Sequence, residues 1–537
     1  MKKLFFLSSL FFFCITAFAQ LPKINWWFDI DDASFGQSIA ADIDNDGKLE
    51  LIFGCYRNDS MVYALNAEDG SLLWKYNTGA GNSEGCNDVA PIVFDVNGDD
   101  TLDVIVPSSC NPTTFCFHGA SGKVIWSSPT RGSDSPPTIA DVDNDGKMEL
   151  LHGEFGGYVI CLNIEDGSKA WEIPVDLNSW IQTAPTIVDI DGDSYPDFVV
   201  ATWNAVNKDS NKVYAYRGHD QKLLWTHSLS NFVYHGTAVA NLDQDDKPEL
   251  VIGDYSGKVT ALNAEDGSLY WEYQCPQYFY AASPVSIADI DHDGRCEVLF
   301  SAWYKVYALS FDGKVKWEYD IPNYGSCFRG VALSDIDNDS KPDVIFGSSL
   351  GNLYSLKGTD GSLIWELDLE AHYGDTFTID HAPVIADFDK DGILDAFVVG
   401  GFTEYPKFEV NYGRAYCISV GKGAGPDWLM FQYDIQRQSS LCAATSGIES
   451  LQVSNEINVY PNPSAGDFHI LVNDRMKANY TVTVYSVNAK KIVESEFKDV
   501  KGEIAISLPS LAIQDGFYIV RVLSDSEIKT FKLLISN

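Results

Sequence analysis

The chain has 537 residues, and its 76 Asp and Glu against 37 Lys and Arg give a formal net charge of −39. This charge disfavours nucleic acid and anionic membranes as partners, because both are negatively charged. The length exceeds what one ordinary hydrophobic core holds, so we expect several domains or a repeat architecture.

The first nineteen residues have the order of a secretory signal. Two lysines precede an apolar run over 4–13, and Ala17 and Ala19 provide the small residues of a cleavage site. The apolar run is shorter than the roughly 20 residues that a membrane span requires, and no later stretch approaches that length. We therefore predict a signal peptide over 1–19, export, and no transmembrane segment.

A nine-residue acidic pattern recurs eight times. It has an acidic or amide side chain at positions 1, 3, 5 and 9, and one copy begins about every 49 residues, within the range of propeller blades. Position 1 is Asp42, Asp95, Asp141, Asp189, Asn241, Asp289, Asp335 and Asp387. Position 3 is Asp44, Asn97, Asp143, Asp191, Asp243, Asp291, Asp337 and Asp389. Position 5 is Asp46, Asp99, Asp145, Asp193, Asp245, Asp293, Asp339 and Asp391. Position 9 is Glu50, Asp103, Glu149, Asp197, Glu249, Glu297, Asp343 and Asp395.

This pattern predicts a calcium site in each repeat, up to eight in all. Four carboxylates within nine residues repel one another unless a cation lies among them, and oxygen ligands at alternate positions suit Ca²⁺ better than Mg²⁺. The alternative is a set of polar hairpin turns, but a turn needs only one or two such residues. The copies beginning at Asp95 and Asn241 are expected to be the weakest.

Each acidic loop is followed by the same succession of short strands. In the first copy, Leu51–Phe53 and Val62–Leu65 alternate as strands do, Asp69 and Gly70 form a turn, and Trp74 follows. Later copies of that tryptophan are Trp126, Trp171, Trp225, Trp271, Trp317 and Trp365, with Trp428 in a degenerate last unit. A tryptophan at a fixed strand position indicates packing between blades. An extra strand over 24–28 is expected to help close the ring beside Trp428.

Two propeller families resemble these segments. The acidic loops, as in Ala41–Gly47, resemble the FG-GAP or VCBS repeats of integrin-type propellers. The segments Val62–Trp74 and Val259–Trp271 resemble the tryptophan-docking repeats of PQQ-type propellers. Both resemblances imply a closed ring of four-stranded blades. We therefore predict an all-β fold with an eight-bladed β-propeller over 20–438, with seven blades as the alternative.

The composition changes after a Ser- and Gly-containing linker predicted over 439–454. Residues 455–537 lack the acidic loops, and alternating strands at 480–485 and 516–522 predict a small Ig-like antiparallel β-sandwich. The motif over 459–463 and the terminal strand over 529–535 resemble the type A sorting domain of the type IX secretion system. That resemblance implies transport by this machinery through the periplasm and outer membrane, with a secreted or surface-attached product. An ordinary Ig-like binding module is the alternative.

Strand order places the acidic loops and the Asp-Gly turns on one face of the propeller, so we expect a ligand on the opposite face. Its loops are rich in aromatic residues, which suit sugars or a protein partner, although such rings also pack loops against one another. Ionisable residues just before the calcium loops are predicted to surround the mouth of the central channel. The candidate ligand-binding residues are Asp88, Asp134, Trp180, Tyr234, His235, Trp303, Arg329, Asp380 and His381. Satisfied structural polar groups are the alternative for this set.

Ten cysteines follow the predicted cleavage site, which permits disulfides in an oxidising compartment. Cys116, Cys161 and Cys417 occupy the slot of Ala64 and are interpreted as small buried thiols. We expect one disulfide between Cys275 and Cys327, which fall in equivalent loops of adjacent blades. Cys55, Cys86 and Cys110 are expected on the same face.

Two classes of function fit the sequence. The first is a non-catalytic, monomeric binding or adhesion module at the cell surface, with glycan or an extracellular protein as its ligand. The second is an enzyme, either a polysaccharide lyase or hydrolase or a quinoprotein dehydrogenase. The adjacent Cys-Cys pair of many quinoproteins is absent from the sequence. Only the channel-mouth residues could supply an acid and a base for polysaccharide cleavage.

Overall fold

A computed structural model describes residues 22–442, apart from 81–83, 100, 246, 277–279 and 282, and a series of strands between 459 and 535. In the latter part, the described ranges are 459–460, 467–471, 478–486, 491–500, 503–508, 516–524 and 528–535. The predicted signal peptide over 1–19 lies outside them. The chain forms two compact units, Met1–Gln452 and Val453–Asn537.

The first unit contains eight antiparallel sheets of four strands each. Its first strand is β1 (Lys23–Ile30). Blade 1 contains β2 (Ile39–Ala41), β3 (Glu50–Gly54), β4 (Met61–Asn66) and β5 (Leu72–Asn77). Blade 2 contains β6 (Ile92–Phe94), β7 (Asp103–Ser108), β8 (Thr113–Phe117) and β9 (Val124–Pro129). Blade 3 contains β10 (Thr138–Ala140), β11 (Glu149–Glu154), β12 (Tyr158–Asn163) and β13 (Lys169–Pro174). Blade 4 contains β14 (Thr186–Val188), β15 (Asp197–Ala201), β16 (Lys212–Tyr216) and β17 (Leu223–Ser228).

The remaining blades repeat this arrangement. Blade 5 contains β18 (Ala238–Ala240), β19 (Glu249–Gly253), β20 (Lys258–Asn263) and β21 (Leu269–Gln274). Blade 6 contains β22 (Ser286–Ala288), β23 (Glu297–Ala302), β24 (Lys305–Leu309) and β25 (Val315–Asp320). Blade 7 contains β26 (Ala332–Ser334), β27 (Asp343–Gly347), β28 (Asn352–Leu356) and β29 (Leu363–Asp368). Blade 8 contains β30 (Val384–Ala386), β31 (Leu394–Phe402) and β32 (Tyr412–Gly421), with β1 as its fourth strand.

The predicted eight-bladed propeller is therefore confirmed, and the seven-bladed alternative is wrong. Blades 1 to 7 each use four consecutive strands, and in blade 8 the order is β1-β32-β31-β30. The first described strand, β1, is thus the outer strand of the last blade and joins the two ends of the ring. The described helices are short: α1 (Leu369–Tyr373) and single 3₁₀ turns at Lys208–Ser210, Pro322–Tyr324 and Phe408–Val410. Among the described residues, no helix has the length and hydropathy of a membrane span.

The repeated tryptophans dock each blade onto the next. Trp74 Nε1 donates to the Gly119 carbonyl at 2.5 Å, and Trp26 in β1 donates to the Ala67 carbonyl at 2.9 Å. The Trp26 ring also lies against Gly70, whose φ of +72° and close ring contact leave no room for a side chain. Trp26 is therefore the eighth docking tryptophan. The prediction that Trp428 takes this role is wrong, because the last blade is completed by the first strand of the chain.

Trp428 instead belongs to a segment, Gly425–Cys442, that fills the central channel. Backbone hydrogen bonds connect this plug segment to the inner strands of blades 1, 3, 4, 5, 6 and 8. In blade 8, the backbone amides of Trp428 and Ile385 each donate to the carbonyl of the other residue. Arg437 is fully buried, and its guanidinium donates to the carbonyls of Pro137 at 3.0 Å and Phe431 at 2.6 Å. The plug segment closes the channel from within.

The predicted linker over 439–454 starts too early. Ser439 and Leu441 exchange backbone hydrogen bonds with Ile287 in β22, and Cys442 forms a disulfide with Cys296. Residues 439–442 are thus part of the channel packing, because their amides and carbonyls find partners on the inner strands. Residues 443–454 lie outside the described ranges.

The second unit contains two antiparallel sheets. One has the order β33-β34-β37, from β33 (Val459–Tyr460), β34 (Asp467–Leu471) and β37 (Glu503–Ser507). The other has the order β36-β35-β38-β39, from β35 (Ala478–Ser486), β36 (Lys491–Val500), β38 (Gly516–Ser524) and β39 (Ile528–Ile535). Buried Ile470 and Ile504 of the first sheet form one cluster with Val482 and Val520 of the second. The predicted β-sandwich is confirmed.

Candidate functional site

The acidic loops share one hydrogen-bond pattern. The position-9 carboxylate is buried in all eight copies, at no more than 3% exposure. Each of these carboxylates accepts a hydrogen bond from the backbone amide of position 2, as Glu50 does from Ile43 at 2.9 Å and Glu149 from Val142 at 2.9 Å. The position-5 aspartate accepts from the amide of position 7, as Asp46 does from Lys48 at 2.8 Å. The backbone therefore fixes each loop around its acidic side chains.

At least five of the loops bring three carboxylates together, with one oxygen from each within 4.8 Å of the others. These groups are Asp42, Asp44 and Glu50; Asp141, Asp143 and Glu149; Asp189, Asp191 and Asp197; Asp243, Asp245 and Glu249; and Asp289, Asp291 and Glu297. The loop that begins at Asn241 is among them, so its amide does not prevent the carboxylates from converging. Hard oxygen donors at this spacing can surround a divalent cation.

Two further observations fit a cation at these groups. Buried oxygens with no hydrogen-bond partner among the described residues include Oδ1 of Asp42, Asp141, Asp291 and Asp337. Burial and the neighbouring aspartates raise the pKa of Glu50 and of Glu149 to about 8. A cation would compensate both, because it accepts lone pairs and stabilises the ionised carboxylates. The residues present therefore suit a bound divalent cation.

A pocket of about 310 Å³ lies on the face opposite the acidic loops. Three predicted ligand-binding residues, Asp88, Asp134 and Trp180, are in its wall. The wall is completed by Tyr56, Arg57, Cys86, Ser109, Cys110 and Phe155. These residues come from the loops between the second and third strands of blades 1, 2 and 3, and from the segments that connect one blade to the next. Trp180 is 45% exposed and contacts Phe155 with 4.8 Å between ring centroids.

The two aspartates of the pocket are electrostatically linked. Ser109 Oγ donates to Asp88 Oδ1 at 3.2 Å, and Gln182 Nε2 donates to Asp134 Oδ2 at 2.9 Å. Asp134 Oδ1 has no partner among the described residues. Burial, followed by repulsion from Asp88, raises the pKa of Asp134 to about 7, and burial also raises the pKa of Asp88. Near neutral pH, this pair can donate and accept hydrogen bonds at the same wall.

Arg329 is only 8% exposed, and its charge acts on both aspartates of the pocket. Its guanidinium carbon is 4.9 Å from the Tyr234 ring centroid, and its charge lowers the pKa of both aspartates against the effect of burial. Its buried Nε has no hydrogen-bond partner among the described residues. The mouth of the channel thus holds a buried positive charge whose Nε–H group can still donate a hydrogen bond.

The other predicted residues take different places. His381 Nε2 lies 2.8 Å from Ser38 Oγ, and His235 packs against Phe328 and against Phe431 of the plug segment, with 5.7 Å between ring centroids in each case. Burial lowers the pKa of His381 to about 3 and also lowers that of His235, so both are neutral. Both imidazoles are buried, and His235 Nε2 and His381 Nδ1 have no hydrogen-bond partner among the described residues.

The remaining two predicted residues lie further round the mouth. Burial raises the pKa of Asp380, whose carboxyl lies within the field of Arg329. Trp303 is 42% exposed and packs on Tyr280 at 4.9 Å. An aromatic band connects it to the pocket: Tyr280 stacks on Tyr255, which contacts Trp203, and Trp203 forms a two-way backbone bridge with Trp180.

Sequence reasoning missed four residues around the pocket: Arg57, Ser109, Phe155 and Gln182. Arg57 carries a positive charge in a strongly acidic chain, and that was the available signal. Ser109, Phe155 and Gln182 have no such signature, because their place depends on how neighbouring blades meet. Tyr278 and Phe279, which belong to the predicted aromatic loops, lie outside the described residues.

The predicted disulfide between Cys275 and Cys327 is wrong, since both thiols are free and buried. Cys275 directly follows the outer strand of its blade, and its backbone amide donates to the Gly257 carbonyl. Cys327 comes later in its loop, and its amide donates to the Trp303 carbonyl. The two side chains therefore occupy different positions in their loops. The disulfides are Cys86–Cys110, in the pocket wall, and Cys296–Cys442. The three predicted buried thiols, Cys116, Cys161 and Cys417, are confirmed.

The propeller repeat matches known families. The model described as outer membrane protein assembly factor BamB matches residues 116–275 and 212–401, together more than half of the chain. The chain belongs to this family of PQQ-like β-propellers. An FG-GAP-like repeat matches residues 42–106, and the secretion system C-terminal sorting domain matches residues 458–536. This PQQ-like propeller is thus exported by type IX secretion to the cell surface or the extracellular space.

Solved structures share the fold of this PQQ-like propeller. The V. cholerae biofilm matrix protein Bap1 has a TM-score of 0.55 and 14% identity, covering 79% of this chain and 96% of that chain. Quinohemoprotein alcohol dehydrogenase from Comamonas testosteroni has a TM-score of 0.52 and 12% identity, covering 75% and 77%. At these identities the similarities show the fold alone. Among curated proteins, none matches the sequence of this chain significantly.

Proposed function

We propose that the exported propeller is a calcium-binding module that recognises saccharides, without cleaving them, at the pocket of Asp88, Asp134 and Trp180. The observation that carries this proposal is the composition of the pocket wall. It combines an exposed indole, paired carboxyls and the guanidinium of Arg57 in about 310 Å³. Aromatic faces stack on the apolar faces of sugar rings, and planar polar groups bind pairs of hydroxyls.

Calcium has a structural role in this proposal. The residues that would hold it are the acidic side chains at positions 1, 3, 5 and 9 of the repeated loops, on the face opposite the pocket. Bound calcium would neutralise these carboxylates and stabilise the native blades by mass action. The pocket residues would then be presented on a rigid ring, which limits the entropy lost when a ligand binds.

A glycan array probed with the full exported chain tests saccharide recognition directly. We expect binding of at least one saccharide class by the wild type, and a loss of about tenfold or more in Trp180→Ala, the size expected when a stacked ring is removed. Trp27→Ala is the matched control, because Trp27 is equally exposed at 51% but lies on the outer strand of blade 8. Equal binding by all three proteins, or by none, would contradict the proposal.

Polysaccharide cleavage is a second candidate, and one observation favours it. Asp88 and Asp134 share one pocket, and the raised pKa of Asp134 suits a general acid near neutral pH. Product analysis on each array hit distinguishes the candidates. Binding without products supports the recognition module; products that disappear in Asp134→Asn, with binding retained, would instead establish an enzyme.

A further inference from the structure

The eight acidic loops differ in one respect that their shared pattern hides: some have a basic side chain of the protein among their carboxylates. In blade 6, Lys316 Nζ lies 2.6 Å from Asp291 Oδ2 and 2.9 Å from Glu297 Oε1. Asp291 and Glu297 are two of the three carboxylates whose oxygens converge in that loop. The ammonium group therefore binds the same carboxylates that a metal ion would need.

Blades 4 and 7 have a similar arrangement. Arg217 donates from two nitrogens to Asp191 Oδ2, at 2.8 and 2.6 Å. Lys357 Nζ lies 2.7 Å from Asp337 Oδ2 and 3.6 Å from Asp339 Oδ2. Arg217 and Lys357 occupy the same position of the repeat, directly after the third strand of their blades, and each neutralises the position-3 aspartate.

Blades 1, 3 and 5 are arranged in the opposite way. The equivalent position holds a neutral asparagine, which donates to the serine of the Asp-Gly turn, as Asn163 does to Ser168 at 2.8 Å. The lysine within each of these loops turns outward to a glutamate, as Lys147 does to Glu165 at 3.1 Å. The other members of this class are Asn66 and Asn263, with the pairs Lys48–Glu68 and Lys247–Glu265. Among the described residues, no basic group forms an ion pair with the position-3 aspartate of these loops.

We propose that Lys316, Lys357 and Arg217 are built-in cations of blades 6, 7 and 4, so that calcium binds preferentially to blades 1, 3 and 5. The inference rests on the proposed calcium binding and deepens it. Calcium entering blade 6 has to displace an ammonium group from two carboxylates and meets its repulsion, whereas blades 1, 3 and 5 offer uncompensated oxygens. Blades 4, 6 and 7 then remain neutralised when calcium is scarce.

Native mass spectrometry of the full exported chain, at a buffered free calcium concentration, tests this assignment. Lys316→Met keeps the apolar part of the side chain and removes its charge. At calcium concentrations that fill the sites of blades 1, 3 and 5, this variant should therefore bind one more calcium ion per chain than the wild type. Its matched control is Lys314→Met, because Lys314 pairs with Asp312 outside the loop carboxylates. Conversely, Asn163→Lys places a base in blade 3 at the position of Lys357 and should remove one calcium ion.

The outcomes separate the inference from the proposed function. Three results together support the inference. The wild type binds fewer than eight calcium ions tightly, Lys316→Met binds one more ion than the wild type, and Asn163→Lys binds one fewer. Equal stoichiometry in the wild type and both variants, or eight equivalent ions in the wild type, overturns the inference and leaves calcium binding intact. An absence of calcium from every protein overturns both. Circular dichroism of each variant shows that the blades are folded.

Discussion

Replacing Asp134 with asparagine tests the electrostatics of the pocket. Burial and the neighbouring Asp88 raise the pKa of Asp134 from 3.8 to about 7. When folding raises the pKa of a carboxyl, its protonation contributes fully to native stability at pH values below the pKa in the unfolded chain. This contribution is lost as the pH rises to the pKa in the native protein. Asparagine carries no charge at any pH, so Asp134→Asn should become increasingly stable, relative to wild type, between about pH 4 and pH 7.

The size of the effect follows from the shift. About three pKa units at about 1.36 kcal/mol each set a ceiling of roughly 4 kcal/mol. Sharing of the titration with Asp88, and solvent at the open side of the pocket, reduce the expected gain at pH 8 to about 2 kcal/mol. The asparagine carbonyl can still accept the hydrogen bond from Gln182, although a neutral acceptor forms a weaker bond than a carboxylate.

Thermal unfolding of both proteins from pH 4 to pH 8, at constant calcium, measures the difference. The midpoint of Asp134→Asn should exceed that of wild type by a few degrees above pH 7 and coincide with it near pH 4. Asp209→Asn is the control for replacing an aspartate by asparagine, because Asp209 is exposed in a 3₁₀ turn outside the pocket. A pH-independent difference for Asp134→Asn, or one that falls as pH rises, would refute the reasoning.

Two further predictions concern the ring itself. Cys442→Ser removes the disulfide to Cys296, which closes 146 residues, and should lower the free energy of unfolding by about 2–5 kcal/mol; an unchanged thermal midpoint without reductant would contradict the covalent anchoring of the plug segment. Gly70→Ala should lower the free energy of unfolding more than Gly156→Ala does, with a difference of about 2 kcal/mol or more between the two variants. Both glycines have positive φ, but a Cβ at Gly70 would lie 2.4 Å from the Trp26 ring, whereas at Gly156 the nearest atom is at 3.9 Å; calorimetry that shows equal losses would refute the docking role.

Sequence spacing predicted the propeller well because each blade repeats a local chemical requirement. Carboxylates such as Asp42 and Glu50 recur at fixed offsets, and the loop must bring them close to one another. The tryptophan and the Asp-Gly turn recur because an indole such as Trp26 rests on a glycine of the next blade. Patterns of this kind are visible wherever one residue type is required once per repeat.

Features that depend on the closed ring were not predictable in the same way. Trp26 was not recognised as a docking tryptophan, because its strand is completed by β32 near the other end of the propeller. The plug segment was missed because it is held by backbone hydrogen bonds to inner strands, which need no particular side chain. The position of Cys327 within its loop likewise depends on the loop's folded course.

The candidate pocket was partly predictable. Asp88, Asp134 and Trp180 were selected because their loops lie opposite the acidic turns, and they line one cavity. The charge of Arg329 acts on both aspartates, whereas His235 packs against aromatic rings and His381 contacts Ser38, and burial lowers the pKa of both histidines. Which ionisable residues reach the cavity depends on side-chain direction at the meeting of two blades, and repeat spacing does not encode that direction.

Elemental analysis of the exported protein, after gel filtration in calcium-free buffer, tests most directly that calcium holds the blades. We expect several calcium ions to remain per chain and the thermal midpoint to fall by about 10 °C or more when a strong chelator is added, because the native state loses a ligand that the unfolded chain does not bind. Protein that carries no calcium, and whose midpoint is the same with and without chelator, would contradict the account.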